Sequence, residues 1–205
     1  MQDDDAPLDP KNADFQTVEY WDKRYAREAP DADFDWFKKY SDIIDIIHEH
    51  IPDRDSRVLM LGCGNSTLSK DMYDDKYTGI VLIDKMSARH PELDWRVMDV
   101  RELSENAESL GGKGSCDAII DKGTMDALMA ENGSVWDPSE QVLDNVRREV
   151  DGVVDLLKPG GVFLYFTFGQ PHFRRPHMMR DVWTIETRVL GDMFHYYLYI
   201  CKKAA

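Results

Sequence analysis

Val58-Leu59-Met60-Leu61-Gly62-Cys63-Gly64-Asn65-Ser66 is the stretch whose reading decides the fold. Four apolar residues without a polar interruption predict a strand buried on both faces, as in parallel sheets covered by helices. Glycines end the strand, and Ser66 to Tyr73 then reads as a helix.

The pattern repeats toward the C-terminus. Trp95 to Asp99 and Ala118 to Asp121 are strand candidates, the second ended by Gly123. Val142, Val146, Val150, Val153, Val154 and Leu157 recur at three and four, which predicts an amphipathic helix over Glu140 to Leu157. Lys158-Pro159-Gly160-Gly161 stops it, and Val162 to Phe168 is the next strand. Thr184–Leu190 and Phe194–Cys201 read as two strands of a hairpin turning at Gly191-Asp192. Strands alternating with helices predict a doubly wound, mostly parallel α/β sheet of seven strands, Rossmann-like, with one antiparallel strand at its edge.

Upstream of the glycine turn the texture differs. Residues 1–14 carry five aspartates and no apolar period, so an unstructured acidic segment is expected, followed by a single domain over 15–205. In Glu19 to Glu28, Trp21 and Tyr25 are four apart and share one helix face. Phe34, Trp36 and Phe37 follow as an aromatic knot. Ile43, Ile44, Ile46 and Ile47 then form a helical stripe before Pro52.

The 205 residues suit one domain, and their formal net charge is −14. Such a surface repels phosphate backbones, which argues against a nucleic-acid substrate, and it draws basic proteins in. No apolar run is long enough to span a membrane, and Met1-Gln2-Asp3-Asp4-Asp5 begins no secretory signal. Three widely spaced cysteines, Cys63, Cys116 and Cys201, fit neither a disulfide framework nor zinc and point to a reducing, cytoplasmic setting. His172 and His177 stand five apart in what reads as a loop with two prolines, so no metal is expected. Gly111-Gly112-Lys113-Gly114-Ser115 lacks the Ser or Thr that a phosphate loop needs after its lysine and reads as a surface turn.

The chemistry therefore rests on strand ends. Gly62 and Gly64 let backbone approach a ligand at the carboxyl end of the first strand, where doubly wound sheets bind. Thr67 replaces the third glycine of the dinucleotide fingerprint, so the turn suits a ligand without a pyrophosphate, such as S-adenosylmethionine. Asp99, in Met98-Asp99-Val100, can accept from an adenine amino group or cap a helix. Asp121-Lys122-Gly123-Thr124-Met125-Asp126 brings two acids and a lysine to the end of a further strand.

On these residues the chain resembles the class I protein-lysine methyltransferases that act on translation elongation factor 1-alpha. The resemblance runs from about Tyr20 to Lys203. It is carried by Glu19-Tyr20-Trp21-Asp22-Lys23-Arg24-Tyr25, Phe34-Asp35-Trp36-Phe37, the glycine turn, Met98-Asp99-Val100, Asp121 to Leu128, and Pro171-His172-Phe173-Arg174. It implies S-adenosylmethionine as cofactor, with Trp21, Tyr25 and Trp36 closing over it. Gly62 would touch its methionine part, Cys63, Gly64 and Asn65 would also bind the cofactor, Asp99 and Val100 would hold adenine, and Lys122 would line the pocket. The substrate channel would take Asp121, Asp126, His172 and Phe173, and no general base is identified. A small-molecule methyltransferase, or a non-catalytic binding partner of the same fold, stays open as an alternative.

One expectation departs from that family. Its second strand ends in an acid that binds ribose, and Ile80-Val81-Leu82-Ile83-Asp84 has that look. Only Lys85 to Glu92 would then remain for the crossover, and a parallel crossover takes a dozen or so residues. Val81 to His90 is therefore read as the crossover helix itself. The acid is then expected to be missing from the chain between about Gly79 and Leu82, and Asp84 is not assigned to ribose.

Overall fold

The computed structural model describes residues 10–27, 34–84, 93–132 and 136–205. In it the run at Val58 is β1 (Arg57–Leu61), at the centre of a seven-stranded sheet. Its parallel neighbours are β2 (Gly79–Asp84) and β4 (Cys116–Lys122). β3 (Asp94–Val97) lies outside β2, and β5 (Leu157–Thr167) lies outside β4, again parallel. β6 (Trp183–Leu190) takes the far edge, and β7 (Tyr196–Lys203) inserts antiparallel between β5 and β6. The order β3-β2-β1-β4-β5-β7-β6 is a doubly wound sheet with one reversed strand, as the sequence predicts, but that strand lies one in from the edge rather than at it, because β7 turns back to pair with β5 and leaves β6 outermost.

Alternation along the strands feeds two cores. Leu59, Leu61, Val81, Ile83, Ile119 and Phe163 point to one face and meet Val146, Val150 and Val153 of α5 (Glu140–Leu156). Val58, Met60, Ile80, Leu82, Ile120 and Leu164 point to the other. There they meet Ile43 and Ile47 of α2 (Tyr40–His50) and Leu68 and Met72 of α3 (Leu68–Asp74). Since successive strand residues face opposite sides, an apolar run without alternation is what a strand between two helix layers requires. Ser139 starts α5 by accepting from the Val142 amide at 3.4 Å. Two shorter helices, α1 (Val18–Arg27) and α4 (Thr124–Leu128), flank the carboxyl end of the sheet, and α6 (Pro171–Met178) follows β5.

The structure corrects the reading around Asp84. Val81 to Asp84 belong to β2, not to a helix, and Arg57 to Leu61 pair with Gly79 to Ile83 residue for residue. The continuous strand leaves no gap between Gly79 and Leu82, and the acid at its end is Asp84. Ile80 to Ile83 are nearly inaccessible on both faces, an environment that only an inner strand has here. The rest of the expected crossover helix lies outside the described residues. Two smaller revisions concern loops. His172 and His177 sit in α6, whose first residue is Pro171, a position where the missing amide costs nothing. Of the segment expected to be unstructured, residues 1–9 lie outside the described residues, whereas Asn12–Gln16 forms a 3-10 turn. Gly111 to Ser115 is a turn with three glycines at positive φ, and Lys113 pairs with Asp155 at 3.0 Å. Among the described residues no helix is long and apolar enough to cross a membrane, and no cluster of three or more His, Cys, Asp or Glu is placed to hold a metal.

One buried group resists a simple packing account. Glu149 of α5 is fully buried beside Asp121 of β4, which is equally buried. As an anion neither of its oxygens would have a hydrogen-bond partner, whereas a protonated carboxyl can donate to Asp121. Burial, then the charge of Asp121, push its pKa well above the usual range. A raised carboxyl pKa means that the folded state holds a proton the unfolded chain releases, so this contribution to stability falls as pH climbs past the unfolded value. Glu149→Gln keeps a donor for Asp121 and removes the titration. Its melting temperature should gain on the parent protein between about pH 5 and about pH 8; parallel melting curves across that range would mean that Glu149 is not held neutral.

Candidate active site

Where β1, β2 and β4 end, the sheet opens into a cleft of about 1120 Å³ including its mouth. Its floor is the glycine turn. The Gly62 amide donates to Ile83 O at 2.7 Å, which carries the β1–β2 ladder one residue past the strand. Gly62 and Gly64 both have positive φ, +53° and +51°, where side chains are disfavoured. A Cβ on Gly62 would overlap the Thr124 side chain, and one on Gly64 would overlap the Tyr25 hydroxyl. Thr124 is held there by donating to Leu61 O at 2.9 Å.

Asp84 stands beside the turn, and its Oδ2 accepts from the Gly64 amide at 2.7 Å. The Cys63 thiol is 3.9 Å from the same oxygen. Burial first, and then that carboxylate, raise its pKa well above the normal thiol range, so it is no nucleophile. At the β3 side, Asp99 caps the 3-10 turn Val100–Glu102 by accepting from the Arg101 amide at 3.0 Å. The Arg101 guanidinium also binds Asp99 and reaches Asn145 Oδ1 of α5 at 3.2 Å. The Asp99 carboxylate thus works first to anchor its own turn, and Val100 is buried beneath it.

The opposite wall is aromatic. Trp21 and Tyr25 stack on α1 with centroids 5.8 Å apart. Trp36 faces them from the segment that follows, and the Arg24 guanidinium lies 5.1–5.5 Å from the ring centres of Trp21, Phe34 and Trp36. Phe15, Gln16 and Thr17, just before α1, also line the cleft, and the Gln16 side-chain amide donates to Ala130 O at 2.6 Å.

Trp21, Tyr25, Trp36, Gly62, Cys63, Gly64, Asn65, Asp99, Val100 and Lys122 all line this one cleft. Lys122 turns its ammonium toward Asp35 Oδ1 and Trp36 O, each at 3.0 Å. The four residues expected in a substrate channel, Asp121, Asp126, His172 and Phe173, do not line this cleft. Asp121 is fully buried and accepts from the amides of Thr124 and Met125 at 2.8 and 2.9 Å, capping α4. Asp126 accepts from Arg174 at 2.8 Å and from the Thr167 hydroxyl at 2.7 Å. His172 and Phe173 occupy the first turn of α6, packed on the Trp136 ring outside the wall. Asp84 and Thr124 also line the cleft, and Asp35 binds Lys122 beside it; none of the three is among the residues expected from sequence. For Asp84 the signal was present, an acid directly after a buried apolar run. Asp35 carries none, because its partners are 31 to 87 residues away.

No family model matches the chain. In sequence it is 32% identical over 208 residues to the EEF1A lysine methyltransferase 4 of Mus musculus, an alignment that spans 96% of this chain and 79% of that protein. It is 29% identical over 198 residues to the Homo sapiens eEF1A lysine and N-terminal methyltransferase, across 89% of this chain and 26% of the longer protein. In structure it resembles the Burkholderia thailandensis 1,6-didemethyltoxoflavin-N1-methyltransferase, crystallised with S-adenosylhomocysteine. There the TM-score is 0.57 at 16% identity, covering 98% of this chain and 93% of that one, a likeness of fold.

The residues present fit S-adenosylmethionine. Gly62 and Gly64 carry no side chain of their own at the cleft floor, and a carboxylate beside them offers acceptors for vicinal hydroxyls. Met98, Leu128 and Val100 provide an apolar bed for a purine. The turn should tolerate no side chain. Gly62→Ala is expected to lose more than the roughly 1–2 kcal/mol of left-handed backbone strain, since its Cβ also meets Thr124. Gly112→Ala, at φ +91° with nothing within 4 Å, carries the strain alone. Equal melting losses for the two would show that the Thr124 contact does not matter. With its fold, its cleft and its near full-length match in agreement, the chain belongs to the EEF1A lysine methyltransferase family and is a class I S-adenosylmethionine-dependent methyltransferase.

Proposed function

We propose that the protein methylates a lysine side chain of translation elongation factor 1-alpha. The observation that carries this reading is the match over nearly the whole chain to a mammalian EEF1A lysine methyltransferase 4. When bound, S-adenosylmethionine supplies an electrophilic sulfonium methyl, and its leaving thioether needs no acid.

The chain's own residues bind, orient and exclude water. Gly62 to Asn65 bring backbone against the cofactor's amino-acid end. Asp84, which already accepts from the Gly64 amide, would accept from the ribose hydroxyls. Asp99, fixed by Arg101, and buried Val100 border the adenine. Trp21, Tyr25 and Trp36 cover the cleft and keep water from the reacting centre. The substrate lysine is mostly protonated at neutral pH, so the ammonium must lose its proton before reaction. Asp121 and Asp126 are engaged in the core, which leaves them to shape the strand end rather than act as bases. Protein recognition falls to the exposed ledge at the carboxyl end of the sheet. There Trp136, 75% exposed, stacks on His172 with centroids 5.5 Å apart and meets Phe173 edge-on at 4.6 Å. Asp137 directly after Trp136 and Glu140 at the start of α5, both exposed, suit a basic segment.

Labelled S-adenosylmethionine added with the enzyme to a lysate should mark one protein band at the mass of elongation factor 1-alpha. A labelled small product and no protein band would favour a metabolite substrate instead. Asp84→Asn keeps an acceptor for Gly64 but gives up the charge. Its affinity for S-adenosylhomocysteine should drop about tenfold or more by calorimetry, as expected for hydrogen bonds to a charged group; unchanged affinity removes Asp84 from the ribose site. Trp136→Ala should raise the KM for the protein substrate about tenfold, the cost of losing one aromatic anchor, and leave the KM for the cofactor alone. A cofactor effect of equal size would place Trp136 in the cofactor site rather than on a docking ledge.

A further inference from the structure

We propose that Lys122 and Asp35 form a latch that holds the segment Phe34–Phe37 across the mouth of the cleft before the cofactor arrives. Lys122 is then a positioning residue and not a ligand of the cofactor. The proposal rests on reading this cleft as the cofactor site.

Burial is the first argument. The side chains of Lys122 and Asp35 are 6% and 5% exposed, so each would be a costly buried charge without the other. The second is where the bonds go. Lys122 Nζ donates to Asp35 Oδ1 and to Trp36 O, both at 3.0 Å, so two of its three donors bind the segment itself. Asp35 also accepts from the Ser66 hydroxyl and from Thr67 Oγ1 at 3.1 Å. One carboxylate therefore ties the end of β4 to the turn after β1, with the cleft floor between them.

The rest of the segment is seated around that pair. The Phe34 amide donates to Asn65 O at 3.3 Å. Phe37 has φ +68°, a backbone state that a phenylalanine keeps only when its surroundings demand it. Its ring packs over Gly123, where a Cβ would come within 3.1 Å of the ring, and against Phe168 and Tyr196 at 6.0 and 5.4 Å. Trp36 is thereby presented to the cleft. Electrostatics agree with the geometry. Burial lowers the Lys122 pKa, opposed by Asp35. Burial alone would raise Asp35, but the Ser66 hydrogen bond and the Lys122 charge bring it below the usual carboxylate range.

A latch and a ligand predict different patterns. If releasing the latch leaves the segment seated about one-tenth of the time, apparent cofactor affinity falls about tenfold. Lys122→Met and Asp35→Asn should each weaken S-adenosylhomocysteine binding to that extent by calorimetry, and the double variant should be no weaker than either alone. The KM for the cofactor should rise while kcat at saturating cofactor stays within about twofold, since saturation reseats the segment. Asp35→Asn binding like the parent while Lys122→Met does not would overturn the latch and make Lys122 a direct ligand. Should the charge variants fail to fold, Ser66→Ala trims one donor to Asp35 without stranding a charge. It should weaken binding about threefold, the effect of one modest hydrogen bond, and parent-like affinity there would also overturn the proposal. Absence of binding by the parent protein itself would refute the cofactor site and not the latch.

Discussion

The backbone at Gly62 and Gly64 passes through space that has no room for a Cβ, and the site is arranged around that constraint. On one side Thr124 fills the space, fixed by its bond to Leu61 O. On the other, Tyr25 closes over Gly64. Between them the Gly64 amide points at Asp84. Two strands, β1 and β2, and two helices, α1 and α4, thus meet at one turn, and moving either helix inward would bring side chain onto backbone. This crowding places a carboxylate, a turn of bare glycine backbone and an aromatic wall within one cleft.

Charge in this protein is concentrated in two ways. The surface carries the large negative balance, which suits a basic partner. The interior below the cleft carries paired charges: Lys122 with Asp35, Arg174 with Asp126, and Asp121 with Glu149 held neutral by burial. Each pair joins segments far apart in the chain, so each trades desolvation cost for a defined arrangement of strand ends. Asp121 shows the result, because its carboxylate caps α4 and thereby sets Thr124 against Gly62.

Most of the fold was legible in local pattern. Unbroken apolar runs ending at glycine marked β1 and β4, and the three-and-four spacing of valines marked α5. At β2 two signals point opposite ways: Ile80 to Ile83 form an equally clear apolar run, but fewer residues follow Asp84 in the sequence than a parallel crossover usually takes. β3, the strand it leads to, is four residues long and mostly exposed at the sheet edge, so it announces its own start poorly.

By itself the sequence determined the layer architecture, the ligand end of the sheet and the residue types offered there, because these follow from periodicities of two and 3.6 and from glycine's backbone freedom. Only the tertiary structure decided which neighbours those residues face. It turned Lys122 to Asp35, Asp99 to Arg101, and Asp121 and Asp126 into the core, and it set Asp84 beside Gly64. Side-chain direction at a strand end is set by whichever partner is brought within about 3 Å, and those partners come from distant segments that no local pattern connects.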